Sequence, residues 1–468
     1  MDLDRLFYPQ SVAVVGASPK IGGGKLPYFQ MIQNLGYRGR LYPVNPGYQE
    51  INGLKAYPSI DALPEAVDLV IVSVAARMVV ETIEAAVRRG VKFMHFFTSG
   101  FSETGNGGLE KEMLEAARRG NVRIVGPNCI GVHCTDGRIT FDPYIRQEGP
   151  GQIAFLGQSG GITSNFVGMA DSRYIALNKV VSYGNQIDLK VEDYLEYLAA
   201  DDSVKAIAAY IEDIKDGTKF FNTVRAVTRK KPLAILKGGT TPEGARAAAS
   251  HTGAMAGAHH VWAAAMRQCR CIEVDHFEKL MDIMMMATSI KMPRGNRIGF
   301  LGAGGGTSVL FADLASRHGL ILPELSQKAQ DLIGQHISDV NTSTVNPVDL
   351  GFHGFSFDVL SHAIRAMDTD ENIDVIIPYI SLDFVCKFQR DQIESGPGRI
   401  IEILPEIRKP VIPVMNRCME NSLDLEETRI RMMTIFRKAG LSVFNTIQDA
   451  VNSISCLLQW SNRRDLER

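Results

Sequence analysis

Short apolar runs that break at small residues recur along this chain, and most are followed by a segment with helical spacing. Residues 11–18 are apolar through Val15 and break at Gly16-Ala17-Ser18. Gly22-Gly23-Gly24-Lys25 comes next, and Phe29, Ile32 and Leu35 then keep a helical period until Gly36. Residues 40–46, 67–74, 91–98 and 123–128 are further strand-like runs, with helical patterns over 75–89 and 109–119 between them. Strands that alternate with helices predict βαβ units and a mostly parallel sheet. A Rossmann-type domain is expected over residues 1–146.

The Gly/Pro-rich stretch 147–151 marks a boundary, and the pattern restarts. Residues 152–157 form a strand, Gln158-Ser159-Gly160-Gly161 opens a helix, and strands follow at 180–185, 206–212 and 232–236. A second open α/β domain is expected over 150–290. A third restart at 297–307 resembles the second, with strands at 374–380, 410–415 and 440–444 and a helix over 428–439. This domain is expected over 295–461, with a charged tail, 462–468, that frays.

One stretch departs from the alternation. Between Lys237 and Gly257 the residues are almost all Gly, Ala, Ser and Thr, with His251 among them. Such a sequence packs no core, predicts a mobile loop, and presents its histidine. The Ala-rich sequence beyond it predicts a helix reaching Trp262 and Met266.

Composition narrows the class. The chain has 468 residues, 45% hydrophobic and 22% charged, an ordinary globular balance over about three domains. A net charge of −2 gives no basic footprint for nucleic acid. No apolar run approaches the ~18 residues that span a bilayer. No apolar segment follows Met1-Asp2-Leu3-Asp4-Arg5, so no signal peptide is expected. Seven scattered cysteines predict reduced thiols and a cytoplasmic setting. Cys269-Arg270-Cys271 lacks zinc spacing, and no metal site is expected.

The chemistry gathers at the C-terminal ends of predicted strands, where open parallel sheets bind ligands. Gly16-Ala17-Ser18 can cradle a phosphate on backbone N–H groups, with Lys25 adding charge. The alternative is a glycine turn needed for packing alone. The second strand ends at Asn45-Pro46, without the acidic residue that holds an NAD ribose, so NAD is disfavoured. Thr98-Ser99-Gly100 and Gly126-Pro127-Asn128 can line a groove leading from the phosphate site. Cys129 is a packing residue, since nothing near it in sequence lowers its pKa. Gln158-Ser159-Gly160-Gly161 offers an anion the positive end of a helix, unless Ser159 merely caps it. Glu212 either orients a histidine or is solvated. His251 is the nucleophile candidate, because a pKa of ~6.5 leaves much of its imidazole neutral at pH 7.

As an ordered set, Gly16-Ala17-Ser18, Val44-Asn45-Pro46, Gly126-Pro127-Asn128, Gln158-Ser159-Gly160-Gly161, Glu212, Lys237-Gly238-Gly239 and Ser250-His251-Thr252-Gly253-Ala254 resemble the ADP-forming (NDP-forming) acyl-CoA synthetase family. That family includes succinyl-CoA synthetase, and the likeness is to its α-type subunit. The resemblance implies a CoA-binding Rossmann-type domain followed by two flavodoxin-like domains. It implies that Gly16, Ala17, Ser18 and Lys25 hold CoA phosphates. Asn45, Pro46, Val72, Ser73, Val74, Thr98, Ser99, Gly100 and Asn128 then border the CoA. Gln158, Ser159, Gly160 and Gly161 hold phosphate, Glu212 orients His251, and His251 carries the phosphoryl group. It further implies a hetero-oligomer in which a separate ATP-grasp β-type subunit binds Mg-ADP or Mg-ATP, and a small carboxylic acid or its CoA thioester as substrate. A catalytically inactive CoA-binding regulatory protein is the alternative, disfavoured by the intact Glu212 and His251. An NAD-dependent dehydrogenase is a weaker one. The third domain departs from the family pattern, with Gly302-Ala303-Gly304-Gly305-Gly306 where Asn-Ala-Gly-Gly is expected.

Overall fold

A computed structural model describes residues 2–20, 26–142, 145, 151–252, 259–338, 340–419 and 421–465, with the side chains of 249–252 and 462–465 set aside. The chain divides into two compact units, Met1–Leu280 and Met281–Arg468.

The first unit holds two sheets. The strands of the first are β1 (Ser11–Val15), β2 (Arg40–Val44), β5 (Leu69–Val72), β6 (Phe93–Phe96) and β7 (Arg123–Val125). Two short strands between them, β3 (Glu50–Ile51) and β4 (Leu54–Lys55), make a separate hairpin. The sheet order is β2-β1-β5-β6-β7, all parallel. Val12 pairs with Leu41 on one side and Leu69 on the other. Both faces are covered, which is why these strands are continuous apolar runs rather than alternating ones. The chain leaves β1 in one direction and returns in the other, so the switch in strand order lies between β1 and β5.

The second sheet contains β8 (Gly131–Cys134), β9 (Ile153–Gly157), β10 (Leu177–Ser182), β11 (Ala206–Ile211), β12 (Leu233–Lys237) and β13 (Ile272–Val274). Its order is β13-β12-β11-β9-β10-β8, and the parallel core reproduces the flavodoxin-like order 2-1-3-4-5. The switch lies between β9 and β11. The strand β8 precedes the Gly/Pro punctuation yet pairs antiparallel with β10, closing the edge of this sheet. The two sheets therefore share a seam. Beside it, the N–H groups of Asn185 and Ile187 reach back to the carbonyls of Pro127 and Gly126.

The second unit is a four-stranded parallel sheet of β14 (Ile298–Gly302), β15 (Val348–Asp349), β16 (Val375–Ser381) and β17 (Val414–Asn416), ordered β15-β14-β16-β17. It repeats the opening of the second sheet. Phe155 of β9 stacks on Phe166 of the helix Gly160–Ser172 at 4.0 Å, and Phe300 of β14 stacks on Phe311 of the helix Gly305–Arg317 at 4.0 Å.

Three expectations are corrected. The stretch after β12 is not all loop, because a helix covers Pro242–Thr252. Thr241 caps it, its Oγ1 accepting the Gly244 N–H at 3.1 Å and its carbonyl the Ala245 N–H at 2.7 Å. Pro242 suits a first helical turn, and the run of alanines has the highest helix propensity of any residue. Residues 440–444 form no strand but a single bridge, Phe444 to Val414, because Gly440 turns at φ 79° immediately before them. The helix Ile447–Asp465 runs on past Asn462, since the buried stripe Ala450, Val451, Ile454, Leu457 and Leu458 anchors it.

Candidate active site

The first cradle sits at the switch between β1 and β5. Gly16 has φ +88°, and a Cβ there would stand 2.4 Å from the Ser73 carbonyl oxygen, so only glycine lets the two strand ends approach. The Gly16 N–H donates to Val44 and the Ser73 N–H to Val15. Asn45 locks the neighbouring end, donating from Nδ2 to the Ala17 carbonyl at 2.7 Å and accepting the Gly47 N–H at 2.9 Å. Thr98 Oγ1 donates to the Val74 carbonyl at 2.7 Å, and the Asn128 N–H donates to the Thr98 carbonyl at 3.0 Å. Gly16, Ala17, Asn45, Ser73, Val74, Thr98 and Asn128 thus form one continuous edge. Val72 is buried in β5 beneath it, while Pro46 and Ser99 are exposed on its rim. A backbone that only glycine fits, held open by an asparagine, suits the close approach of a phosphate-bearing ligand such as CoA. Lys25, with Gly22, Gly23 and Gly24, lies outside the described residues.

Gly100 closes the loop after β6. Its N–H and that of Phe101 donate to Glu103 Oε1 at 2.6 and 3.1 Å. Asn185, beyond β10 in the second sheet, donates to Glu103 Oε2 and Glu110 Oε1, both at 2.7 Å. Burial pushes the Glu103 carboxyl up, but these bonds outweigh it and hold it below the usual carboxylate range. Asn185 therefore ties the second sheet to the wall of the first cradle. A bare Gly184-Asn185 turn gives no hint of this in sequence.

The second site lies at the switch between β9 and β11. Gln158 is buried, and its Oε1 accepts the backbone N–H groups of Glu212 and Asp213, each at 2.8 Å. Its carbonyl is thus committed to the neighbouring strand end. Ser159 precedes the helix Gly160–Ser172 in extended backbone, and its side chain makes no capping bond. The first N–H groups of that helix, at Gly160 and Gly161, receive no capping bond from Ser159, and a Cβ on Gly161 would meet nothing within 4 Å.

Glu212 follows β11. The Tyr210 phenol bonds to its carboxylate, and burial together with that carboxylate raises the phenol's pKa. Lys237 ends β12 and donates from Nζ to the Glu212 carbonyl at 2.7 Å and to the Gly238 carbonyl. A Cβ at Gly238 would lie 2.7 Å from the Tyr210 hydroxyl, so the tyrosine would have to shift to admit one. From this point the chain passes through Thr241 into the helix Pro242–Thr252, which bears His251 and lies within 8 Å, Cα to Cα, of the Ser102–Thr104 turn after β6. His251 therefore stands on a segment that joins the second site to the rim of the first. Its side chain lies outside the described residues.

Cys129 packs in the core as expected, and two further histidines lie there with it. Cys129 is buried, and burial raises its thiol pKa. His95 and His133 are fully buried and neutral, burial pushing them down to about 4 and about 3. The Gly-rich turn of the second unit holds a carboxylate of its own chain, because Asp349 Oδ1 accepts the N–H groups of Gly304 and Gly351, each at 2.9 Å. Among the described residues no cluster of three metal-ligating side chains occurs, and no helix is long and apolar enough to cross a membrane.

Comparison with known proteins agrees with this division of labour. A family model of a CoA binding domain matches residues 10–135, and one of a succinyl-CoA ligase like flavodoxin domain matches residues 150–287. The alpha subunit of acetate–CoA ligase [ADP-forming] II from Pyrococcus furiosus is 37% identical over 80% of this chain and 81% of its own length. Acetate–CoA ligase [ADP-forming] I from Archaeoglobus fulgidus is 35% identical over 82% of this chain, which spans 56% of that longer relative. An acetyl-coenzyme A synthetase from Ca. Korarchaeum cryptofilum, solved with phosphate and ADP, superposes with a TM-score of 0.87 at 28% identity, covering 99% of this chain and 98% of that one. With a CoA binding domain model and a succinyl-CoA ligase like domain model matching its two α/β sheets, and relatives of this identity and extent, the chain belongs to the ADP-forming acyl-CoA synthetase family.

Proposed function

We propose that this chain is the α-type part of an ADP-forming acyl-CoA synthetase, which interconverts acyl-CoA, ADP and phosphate with a carboxylic acid, ATP and CoA. The observation that supports the proposal most is the helix Pro242–Thr252, which bears His251, follows Lys237 at the end of β12, and lies within 8 Å, Cα to Cα, of the Ser102–Thr104 turn.

In this reading CoA lies along the first cradle. Gly16, Ala17, Ser18 and Lys25 hold its phosphates, and Asn45, Pro46, Val72–Val74, Thr98–Gly100 and Asn128 border it. A phosphate oxygen attacks the acyl-CoA carbonyl, the C–S bond breaks, and CoA leaves as the thiolate with an acyl phosphate remaining. The helix N-terminus at Ser159, Gly160 and Gly161 stabilises the phosphoryl oxygens. A ring nitrogen of His251 then attacks phosphorus, and the carboxylate leaves. Glu212 orients the imidazole and stabilises its positive charge. Finally a β-phosphate oxygen of ADP takes the phosphoryl group, giving ATP. Phosphoryl transfer asks for positioning and charge stabilisation, which backbone amides and a helix end supply.

The nucleotide and its Mg²⁺ belong to an ATP-grasp β-type partner, making the working enzyme a hetero-oligomer. The alpha-subunit relatives support this, and the longer single-chain relatives support a joined arrangement of the same parts. Seven free cysteines support a reducing, cytoplasmic setting. The test is reconstitution with an ATP-grasp partner chain. Acyl-CoA, ADP and phosphate should yield ATP and free acid only when both chains are present, and ATP formation by His251→Asn with the partner would reject the mechanism.

A further inference from the structure

We infer that Asn185 is a positioning residue for phosphoryl transfer: by binding Glu103 and Glu110 together it fixes the turn against which the His251 helix lies. The inference rests on the proposed histidine relay for the role of that helix, and on the hydrogen bonds around Asn185 for the fixing.

The helix Pro242–Thr252 has little of its own to hold it. From Pro242 to Ala248 no residue is buried, and only Gly244, Ala245 and Ala248 are half-buried. These three share one face, at the spacing of a helical turn. Such small residues bury little apolar area, so the helix is placed by what it leans on. Among the described residues, no element meets it as extensively as the turn Ser102–Thr104. Phe101 anchors the start of that turn in the core, and carboxylates fix the rest. Glu103 Oε1 accepts the Gly100 and Phe101 N–H groups, and Glu110, from the helix Gly107–Arg118, accepts the Ser102 hydroxyl at 2.8 Å.

Two neighbouring carboxylates repel each other, and Asn185 stands between them. Its amide nitrogen has two hydrogens. One goes to Glu103 Oε2 and the other to Glu110 Oε1, both at 2.7 Å. Hydrogen bonds to ionised acceptors are the strong ones. Asn185 can bind both because its own backbone is pinned. Gly184 has φ +51°, and a Cβ there would stand 2.2 Å from the Pro127 carbonyl oxygen, so this turn is pressed against Gly126-Pro127-Asn128. The Asn185 N–H donates to that carbonyl at 3.0 Å, and Asn128 Nδ2 donates to Asn185 Oδ1 at 3.4 Å. The carboxamide thus has a fixed sense, its oxygen toward Asn128 and its nitrogen toward the two carboxylates. Without it the turn loses the bond that joins its two supports, and the helix loses a fixed seat.

Amide hydrogen exchange of the full chain, read by mass spectrometry, reports on the seat directly. In Asn185→Ala the peptide spanning 242–252 should exchange at least about fivefold faster, while peptides of β11 and β12 keep the parent's rates and show the sheet intact. Labelling of His251 by acetyl phosphate should slow at least about tenfold, in the maximal rate rather than in the half-saturating concentration. Asn185→Asp puts a third carboxylate between the two and should be impaired at least as much. Adding Glu103→Gln to Asn185→Asp again sets an amide donor against a carboxylate, and should recover at least about threefold of both losses. Unchanged exchange over 242–252, a change shared equally by β11 and β12, or no recovery in the paired variant overturns the inference. A parent chain that takes label while its 242–252 exchange is indifferent to Asn185→Ala rejects this inference alone. A parent chain that takes no label, with exchange that does respond, rejects the histidine relay and leaves the seat of the helix standing.

Discussion

Gln158 accepts the backbone N–H of Glu212 at 2.8 Å, so the side chain that leads into the helix Gly160–Ser172, the proposed anion site, also fixes Glu212 across the switch in strand order. The same oxygen holds Asp213. Gln158→Leu would strand both donors, and a stranded buried donor costs about 1–3 kcal/mol. Chemical denaturation should show a loss of that order or somewhat more, with phosphorylation of His251 slowed at least about tenfold. Gln158→Glu keeps an acceptor at the same place and should restore most of the stability, which separates positioning from bulk packing.

Gly16 and Ser73 form the edge of the proposed CoA cradle. Gly16→Ala meets both a left-handed φ of +88° and a carbonyl oxygen 2.4 Å from the new methyl. Gly53 offers a control, since it has φ +81° and nothing within 4 Å of a Cβ. Gly53→Ala should cost about 1–2 kcal/mol of stability and leave CoA binding intact. Gly16→Ala should cost more and abolish CoA binding measured by calorimetry.

Glu192 carries a pH dependence. It is 1% exposed, and among the described residues neither carboxylate oxygen has a hydrogen-bond partner on another residue. Burial raises its pKa above the ordinary 4.5. The folded state therefore holds its proton more tightly than the unfolded one, and stability falls as pH rises above about that ordinary value. Glu192→Gln should be more stable than the parent at pH 7.5 by about 1–2 kcal/mol, the scale of an unpaired buried polar group. The difference should close at pH 4. Urea denaturation at the two pH values checks it.

The alternating architecture was legible because fully buried parallel strands leave continuous apolar runs, and their ends are where a site must be. Gly16, Asn45, Thr98 and Asn128 were singled out in this way, and they lie along one edge of the first sheet. The helix over Pro242–Thr252 was hidden because small residues report flexibility and helix propensity with the same letters, and Thr241 decides between them only once its cap is seen. Pairing of β8 with β10 was hidden by an edge contact that crosses the Gly/Pro boundary. The stacking of Phe220 on Trp262 was invisible because they sit on separate helices, Gly217–Thr228 and His259–Gln268, that only the fold brings together. Asn185 has no sequence signature at all, since its role is to meet Glu103 and Glu110 from another sheet.

The central claim is that His251 carries the phosphoryl group, and the most direct measurement needs only this chain. It is incubated with acetyl phosphate labelled with ³²P, then examined for acid-labile, base-stable label by peptide mapping. The account predicts label on the peptide containing His251, none in His251→Asn, and slower labelling in Glu212→Gln. Label that persists in His251→Asn, or no label on any histidine while acetyl phosphate is consumed, would contradict it.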